Sequence, residues 1–348
     1  MTPLLATADH ASASNASASQ VVSYAAPQLG FGGYNWFGTV HEIGASWQVP
    51  AISPNSRSGD AATWVGAQNN AGEFIQIGTE EDRGLYSSPS YDAFWSDAVL
   101  QFVPQYLGTV KPGDTVKMSM VQKGYGWTIR VADRRSSLYV TRAIDYGFED
   151  KFTLAEWVQE NPSSYSNGLP TIPYPAIADT TFHKLVVNGI DPHLTLADGL
   201  VLITSSGKFR VPTVESNDSF SLIPPTKAQD RYLTDLSPSD GEAVVFGNEL
   251  AHWSEFSASQ RSSDISQFVA TIKMTSTTLA GFSWPPSSSS ALTKYVAECK
   301  LEVRMLDEWN VGRRSSGGSS FSKWLSTEID RQNLAYKVSA SLDLPPFS

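Results

Sequence analysis

The sequence predicts a mainly β protein, an antiparallel sandwich or jelly roll, followed by a helical C-terminal region. Three observations carry this. From about residue 31 to 223, short runs alternate apolar and polar side chains. Gly, Pro and Asp punctuate those runs at regular intervals. After Pro224-Pro225 the apolar spacing changes from every second residue to every third or fourth.

The elements follow in order. "TVKMSMV" sets Val116, Met118 and Met120 on one face against Lys117 and Ser119 on the other, and "GWTIRVAD" does the same with Trp127, Ile129 and Val131. "FHKLVVNG", "GLVLITSSG" and "KFRVPTV" continue the pattern. Beyond residue 225, "FGNELAHWSEF" places Phe246, Leu250 and Trp253 at helical spacing. "DISQFVATIKMTSTTL" repeats it at Ile265, Phe268, Val269 and Ile272. "ALTKYVAECKLEVRMLDEW" carries a stripe of Leu292, Tyr295, Val296, Cys299, Val303 and Leu306. "SSFSKWLSTEIDRQNL" offers Phe321, Trp324, Leu325 and Ile329. The expected organisation is an Ala/Ser-rich disordered leader over 1–30, a β sandwich over 31–225, and three or four helices over 226–348. The stripes serve core packing or self-association, so a homo-oligomer built through the helical tail is one expectation.

Composition narrows the function. With 348 residues, 41% hydrophobic and 17% charged, the chain has material for a large core and for more than one domain. A net charge of −10 disfavours a nucleic-acid partner, whose phosphates demand Lys and Arg. It suits a protein that stays soluble in acid or meets uncharged or basic substrates. The single Cys299 rules out an internal disulfide, and five scattered histidines show no metal-ligand spacing, so neither metal nor cofactor is expected. No apolar run has membrane-spanning length, and no partner membrane is expected. "MTPLLATADHASASNASASQ" lacks the basic start and apolar middle of a signal peptide.

One stretch, "KFTLAEWVQENPSS" (151–164), raises a sharper question, because Glu156 and Glu160 lie four apart. Read as a strand, Glu156, Val158 and Glu160 share one face while Ala155, Trp157 and Gln159 share the other. The two carboxylates then sit ~13 Å apart along the strand, too far to act as a direct pair, so each needs a partner from a neighbouring strand. "EFIQIGT" divides likewise, with Ile75 and Ile77 opposite Phe74, Gln76 and Gly78. In "YDAFWSDAV", Asp92, Phe94 and Ser96 oppose Tyr91, Ala93 and Trp95. Three strands thus bury one face and present amide, aromatic and carboxylate groups on the other, as the concave side of a curved sheet would.

Taken in order, "NWFGTVHEIGASWQVP" (35–50), "TWVG" (63–66), "FIQIGT" (74–79), "YDAFW" (91–95), "VKPGDTVKMSM" (110–120) and "AEWVQEN" (155–161) resemble the glutamic peptidases, the eqolisins. The resemblance spans about 31–223 and leaves out the helical tail. It implies a two-sheet concanavalin-like antiparallel sandwich, a polypeptide substrate, no cofactor, and a secreted or extracellular setting. It also implies that Gln76 and Glu160 carry the chemistry. A positioned carboxylate takes a proton from the attacking water, and a neutral amide stabilises the developing oxyanion. Asp92 matches an acidic position near that pair, Trp36 the tryptophan of an "NW" motif at the groove edge, and Glu156 a structural glutamate.

The chain departs from the family where "WVGAQN" puts Gln68 at an aspartate position, and where "YDAFWSD" puts Phe94 at a tryptophan and Ser96 at a glutamate. With two crowding carboxyls gone, the expectation is a lowered pKa for Glu160 and work at milder pH. Substrate contacts are expected from Trp36, Gln68, Phe74, Asp92, Phe94 and Ser96. Three functions stay open at this point. They are an acid-tolerant glutamic endopeptidase, a catalytically silent sandwich that binds peptide or glycan in the same groove, and an assembly protein that uses its helical tail.

Overall fold

The structure, a computed structural model, describes residues 28–69, 71–98, 100, 103–146, 151–162, 172–235, 257–310 and 318–345. The predicted helix around Phe246, Leu250 and Trp253 lies outside them, as does the leader up to residue 27. The described residues fall into two compact units that part between Pro224 and Pro225.

The first unit is a sandwich of two sheets. One holds, in spatial order, β13 (Gly199–Leu200), β2 (Phe31–Val40), β11 (Phe152–Glu160), β4 (Gly59–Gln68), β5 (Phe74–Arg83), β6 (Ser90–Asp97) and β7 (Gln105–Thr109). The other holds β1 (Gln28–Leu29), β14 (Leu202–Ile203), β15 (Phe209–Ser216), β16 (Ser219–Ile223), β12 (Thr180–Val187), β3 (Glu42–Gln48), β8 (Thr115–Lys123), β9 (Gly126–Asp133) and β10 (Leu138–Asp145). All pairings are antiparallel except β1 with β14. Within the stretch expected to be disordered, Gln28 and Leu29 pair with Leu202 and Ile203, and Gly30 turns into β2 with φ at +93°.

Alternation places the core. Val116, Met118, Met120, Trp127 and Ile129 face inward and are buried, opposed by Val65, Ala67, Ile75 and Ile77 from the other sheet. Two tryptophans bolt the layers together, because a buried indole N–H must find an acceptor. Trp157 on β11 donates to the Gly44 carbonyl at 3.1 Å, and Trp47 on β3 donates to Thr79 Oγ1 at 3.1 Å. At Gly33, φ is +151° and an added Cβ would stand 1.9 Å from the Trp157 carbonyl oxygen. Only glycine lets β2 lie this close to β11.

The second unit contains α1 (227–235), α2 (Ala258–Ala280), α3 (Pro286–Asn310) and α4 (Gly318–Ser341). Ser257 Oγ caps α2 by accepting from Gln260 N, and Pro286 opens α3, where a missing N–H costs nothing. The predicted stripes of α2 and α3 are buried as expected. On α4 the apolar reading fails in part: Trp324 is inside, but Leu325 and Ile329 are 41% and 37% exposed. Glu328 and Arg331 face inward instead. Arg331 pairs with Glu302 of α3 at 2.9 Å and with Glu328 at 2.8 Å, and it donates to Tyr295 Oη at 3.0 Å. A buried ionic cluster buries its faces through charge pairing, so hydrophobic spacing does not reveal it.

Candidate active site

The outward face of the seven-stranded sheet carries the site, and the strand register orders it into cross-strand rows. One row runs Asn35, Glu156, Gly66, Gln76, Ser96 from β2 to β6. The next runs Gly33, Val158, Trp64, Gly78, Phe94, Tyr106. A third runs Phe31, Glu160, Ala62, Glu80, Asp92, Thr109. Asp60 lies one pleat further along β4, opposite Asp82.

These rows correct the expected pairing. Gln76 and Glu160 do share a face, but β4 lies between their strands. Glu160 also stands four residues further along, ~13 Å in strand rise. The row between them is hydrocarbon: Val158, Trp64 and Phe94 form a buried cluster with Ala62 of the Glu160 row, and Phe31 and Phe74 pack against it. Glu156, read as structural, is the glutamate level with Gln76. Their backbones are two strand spacings apart, ~10 Å, and the intervening position is Gly66, which has no side chain. A Cβ there would meet Trp64 Cζ3 at 2.8 Å and Phe74 Cε2 at 2.9 Å, so the two rings lie close over Gly66 and any larger residue would have to displace them.

The polar contacts set the chemistry. Gln76 Nε2 donates to Ser96 Oγ at 2.9 Å, while its Oε1 is buried without a partner. Ser96 thus orients the amide. Trp64 Nε1 donates to Glu160 Oε2 at 2.8 Å. Tyr106 Oη donates to Glu80 Oε2 at 2.7 Å, and Thr109 Oγ1 to Asp92 Oδ1 at 2.9 Å.

Burial pushes Glu156 up to about 7, and the neighbouring Glu160 adds to the rise. Burial also pushes Glu160 up to about 7, against the Trp64 hydrogen bond and with help from Glu80. The expected lowering of Glu160 is therefore reversed. Removal from water dominates, and the carboxyl at 80 adds to it. Asp60 is pushed up to about 9, mainly by burial and then by Glu80 beside it. Glu160 and Asp60 thus hold their protons to higher pH than an ordinary carboxyl. Among the described residues, no group of three or more His, Cys, Asp or Glu side chains is arranged to hold a metal ion.

Of the residues predicted for the site, Gln68, Phe74, Gln76, Asp92, Phe94, Ser96 and Glu160 all lie on this face. Trp36 does not. It pairs with Ala155 and packs its ring against the inner core, while Phe37, 72% exposed, holds the outward position beside Leu154. The "NW" motif marked the right strand, but the alternation puts its tryptophan on the inner side. Trp64, Glu80 and Asp60 were missed. Extending the alternation back from Gln68 and forward from Gln76 would have found them.

Among solved structures, the sandwich is similar to scytalidoglutamic peptidase bound to a peptide-based transition-state analogue, with 18% identity and a TM-score of 0.45, covering 57% of this chain and 98% of that one. It is also similar to SCP-B, a member of the eqolisin family of peptidases complexed with the tripeptide Ala-Ile-His, with 16% identity and a TM-score of 0.43, covering 57% and 98%. An alginate lyase from Klebsiella pneumoniae is similar at 13% identity and a TM-score of 0.30, covering 44% of this chain and 61% of that one. At such identities the likeness concerns the fold. No protein-family profile and no curated relative matches the sequence.

Proposed function

We propose that this face hydrolyses peptide bonds, with Glu156 as general base and Gln76 as oxyanion donor. The observation that carries the reading is their shared cross-strand row, with Gly66 as the one intervening strand position and the Trp64 and Phe74 rings beside it. A water held in that gap gives a proton to the Glu156 carboxylate as its oxygen attacks the scissile carbonyl carbon. The second Nε2–H of Gln76, free of Ser96, donates to the oxyanion that forms. Protonated Glu156 then returns the proton to the amide nitrogen as the carbon–nitrogen bond breaks and the amine leaves. Glu160 stays outside the proton transfers. Fixed by Trp64, it sets through its charge the pH at which Glu156 becomes basic.

The test is cleavage of a denatured protein across pH 3 to 9 by the wild type and by Gln76→Ala, Glu156→Gln and Glu160→Gln. Glu156→Gln should lose ~10²–10⁴ in kcat/KM and Gln76→Ala ~10²–10³. Glu160→Gln should keep most activity with a displaced pH profile. An inactive Glu160→Gln beside an active Glu156→Gln would restore the pairing suggested by resemblance. If the wild type binds denatured polypeptide without cleaving it, the face is a binding groove.

A further inference from the structure

The opposite face of the same strands hides an acid with no place in that chemistry. Glu81 on β5 points into the sandwich and is 0% exposed. Its Oε2 accepts from Thr63 Oγ1 at 3.4 Å, while its Oε1 has no partner. Gln159 on β11 is also 0% exposed; its Nε2 donates to Thr180 Oγ1, and its Oε1 has no partner. The register aligns Gln159, Thr63 and Thr79 in one inward row, with Glu81 on the next pleat of β5 opposite the small Ala61. A buried carboxyl without a cation is held as the neutral acid, and the neutral acid has one proton to donate. An amide oxygen without a donor stands two strands away.

We propose that Glu81 is a neutral carboxylic acid whose Oε1–H reaches Gln159 Oε1, directly or through one buried water, and so ties β5 to β11 across β4 behind the site. Glu81 Oε1 and Gln159 Oε1 are both orphaned in a shared interior, as is the Tyr174 hydroxyl, and buried polar atoms are seldom left unpaired. Charged and titratable groups near Glu81 favour the neutral form. Burial holds its pKa well above the usual carboxylate range, and Asp60 of β4 and Glu80 of its own strand add to the rise against hydrogen bonds from Thr79 and Thr63. Tyr174, from the run before β12, faces the same region, and Arg210 behind it is engaged with Asp179 at 2.8 Å. The location gives the bridge its consequence. Glu81, Thr63 and Gln159 each adjoin a residue of the outward face, namely Glu80, Trp64 and Glu160. Ionising Glu81 would therefore loosen the three strands that hold the site.

The bridge does not depend on catalysis and is tested without it. Urea unfolding of the wild type and Glu81→Gln is compared from pH 5 to 8; glutamine can still donate to Gln159 but cannot ionise. The folded carboxyl is held above its unfolded value, so its contribution is complete below the unfolded pKa and fades as pH rises toward the folded one. Relative to Glu81→Gln, the wild-type folding constant should fall ~10-fold per pH unit above ~4.3. Parallel curves would overturn the neutral acid. In the wild type, the ¹³C resonance of the Glu81 carboxyl should remain at its protonated position through neutral pH; a midpoint in the ordinary glutamate range would overturn it equally. Gln159→Leu removes the acceptor and should lower the Glu81 midpoint. An unmoved midpoint in that variant would show that Gln159 is not the partner.

Discussion

Replacing Trp64 with phenylalanine tests how the outward face governs its own acidity. Phenylalanine keeps an aromatic ring beside Phe31 and Phe74, whose centroids lie 6.4 and 5.4 Å from the indole, but it removes the N–H that reaches Glu160 at 2.8 Å. A hydrogen bond to a carboxylate contributes ~1.5–3 kcal/mol. At ~1.4 kcal/mol per pKa unit, losing it should raise Glu160 by ~1–2 units from about 7. Glu156 should move the other way. Glu160 contributes to its raised pKa, and a Glu160 that stays neutral to higher pH withdraws that contribution. The assay is a ¹³C carboxyl titration with the two resonances assigned through Glu156→Gln and Glu160→Gln. The expected signature is divergence, Glu160 upward and Glu156 downward. Both midpoints rising together would indicate a general change in burial, and an unmoved Glu160 would refute the Trp64 contact. The truncation also leaves unfilled volume at a residue only 2% exposed, so a stability loss of ~1–3 kcal/mol is expected.

Further outcomes follow from the same geometry. Gly66→Ala drives a methyl against Trp64 and Phe74 and narrows the gap between Glu156 and Gln76; it should cost ~1–3 kcal/mol in thermal or urea unfolding and depress turnover more than folding. If Glu156 is the base, kcat/KM should rise as pH climbs through about 7 and fall ~10-fold per unit below it, so an optimum near pH 3 would exclude this assignment. In the helical unit, Arg331→Met strands Glu302 and Glu328 without their cation and should cost ~3–5 kcal/mol by helical circular dichroism in denaturant. Glu302, pushed up to about 8 chiefly by burial, can take up a proton, so that penalty should shrink at pH 5 relative to pH 9.

Much of the fold was readable from alternation alone, because a strand's side chains must take opposite faces. Met118 and Ile129 inside, and Gln76 and Glu160 outside, required nothing beyond a period of two. The α3 stripe from Leu292 to Leu306 was equally plain, since apolar residues at helical spacing have one buried side. α4 was misjudged because its inner side is partly ionic. Glu328 and Arg331 look solvated until Glu302 and Tyr295 are known to face them, and spacing within one helix contains no such information. Trp36 shows the matching error: a motif locates a strand, while alternation from the inward Tyr34 through Asn35 decides which face the tryptophan takes.

The sequence by itself determined which side chains could share a surface, since that depends only on the geometry of one strand. It could not determine which of them stand level, because register is a relation between strands brought together from distant parts of the chain. Tertiary structure alone put Gln76 opposite Glu156 instead of Glu160, set Trp64 against Glu160, and enclosed Glu81. It also pushed Glu160 upward where the resemblance suggested the reverse, and Glu156 with it, because withdrawal from water depends on what surrounds a carboxyl in space.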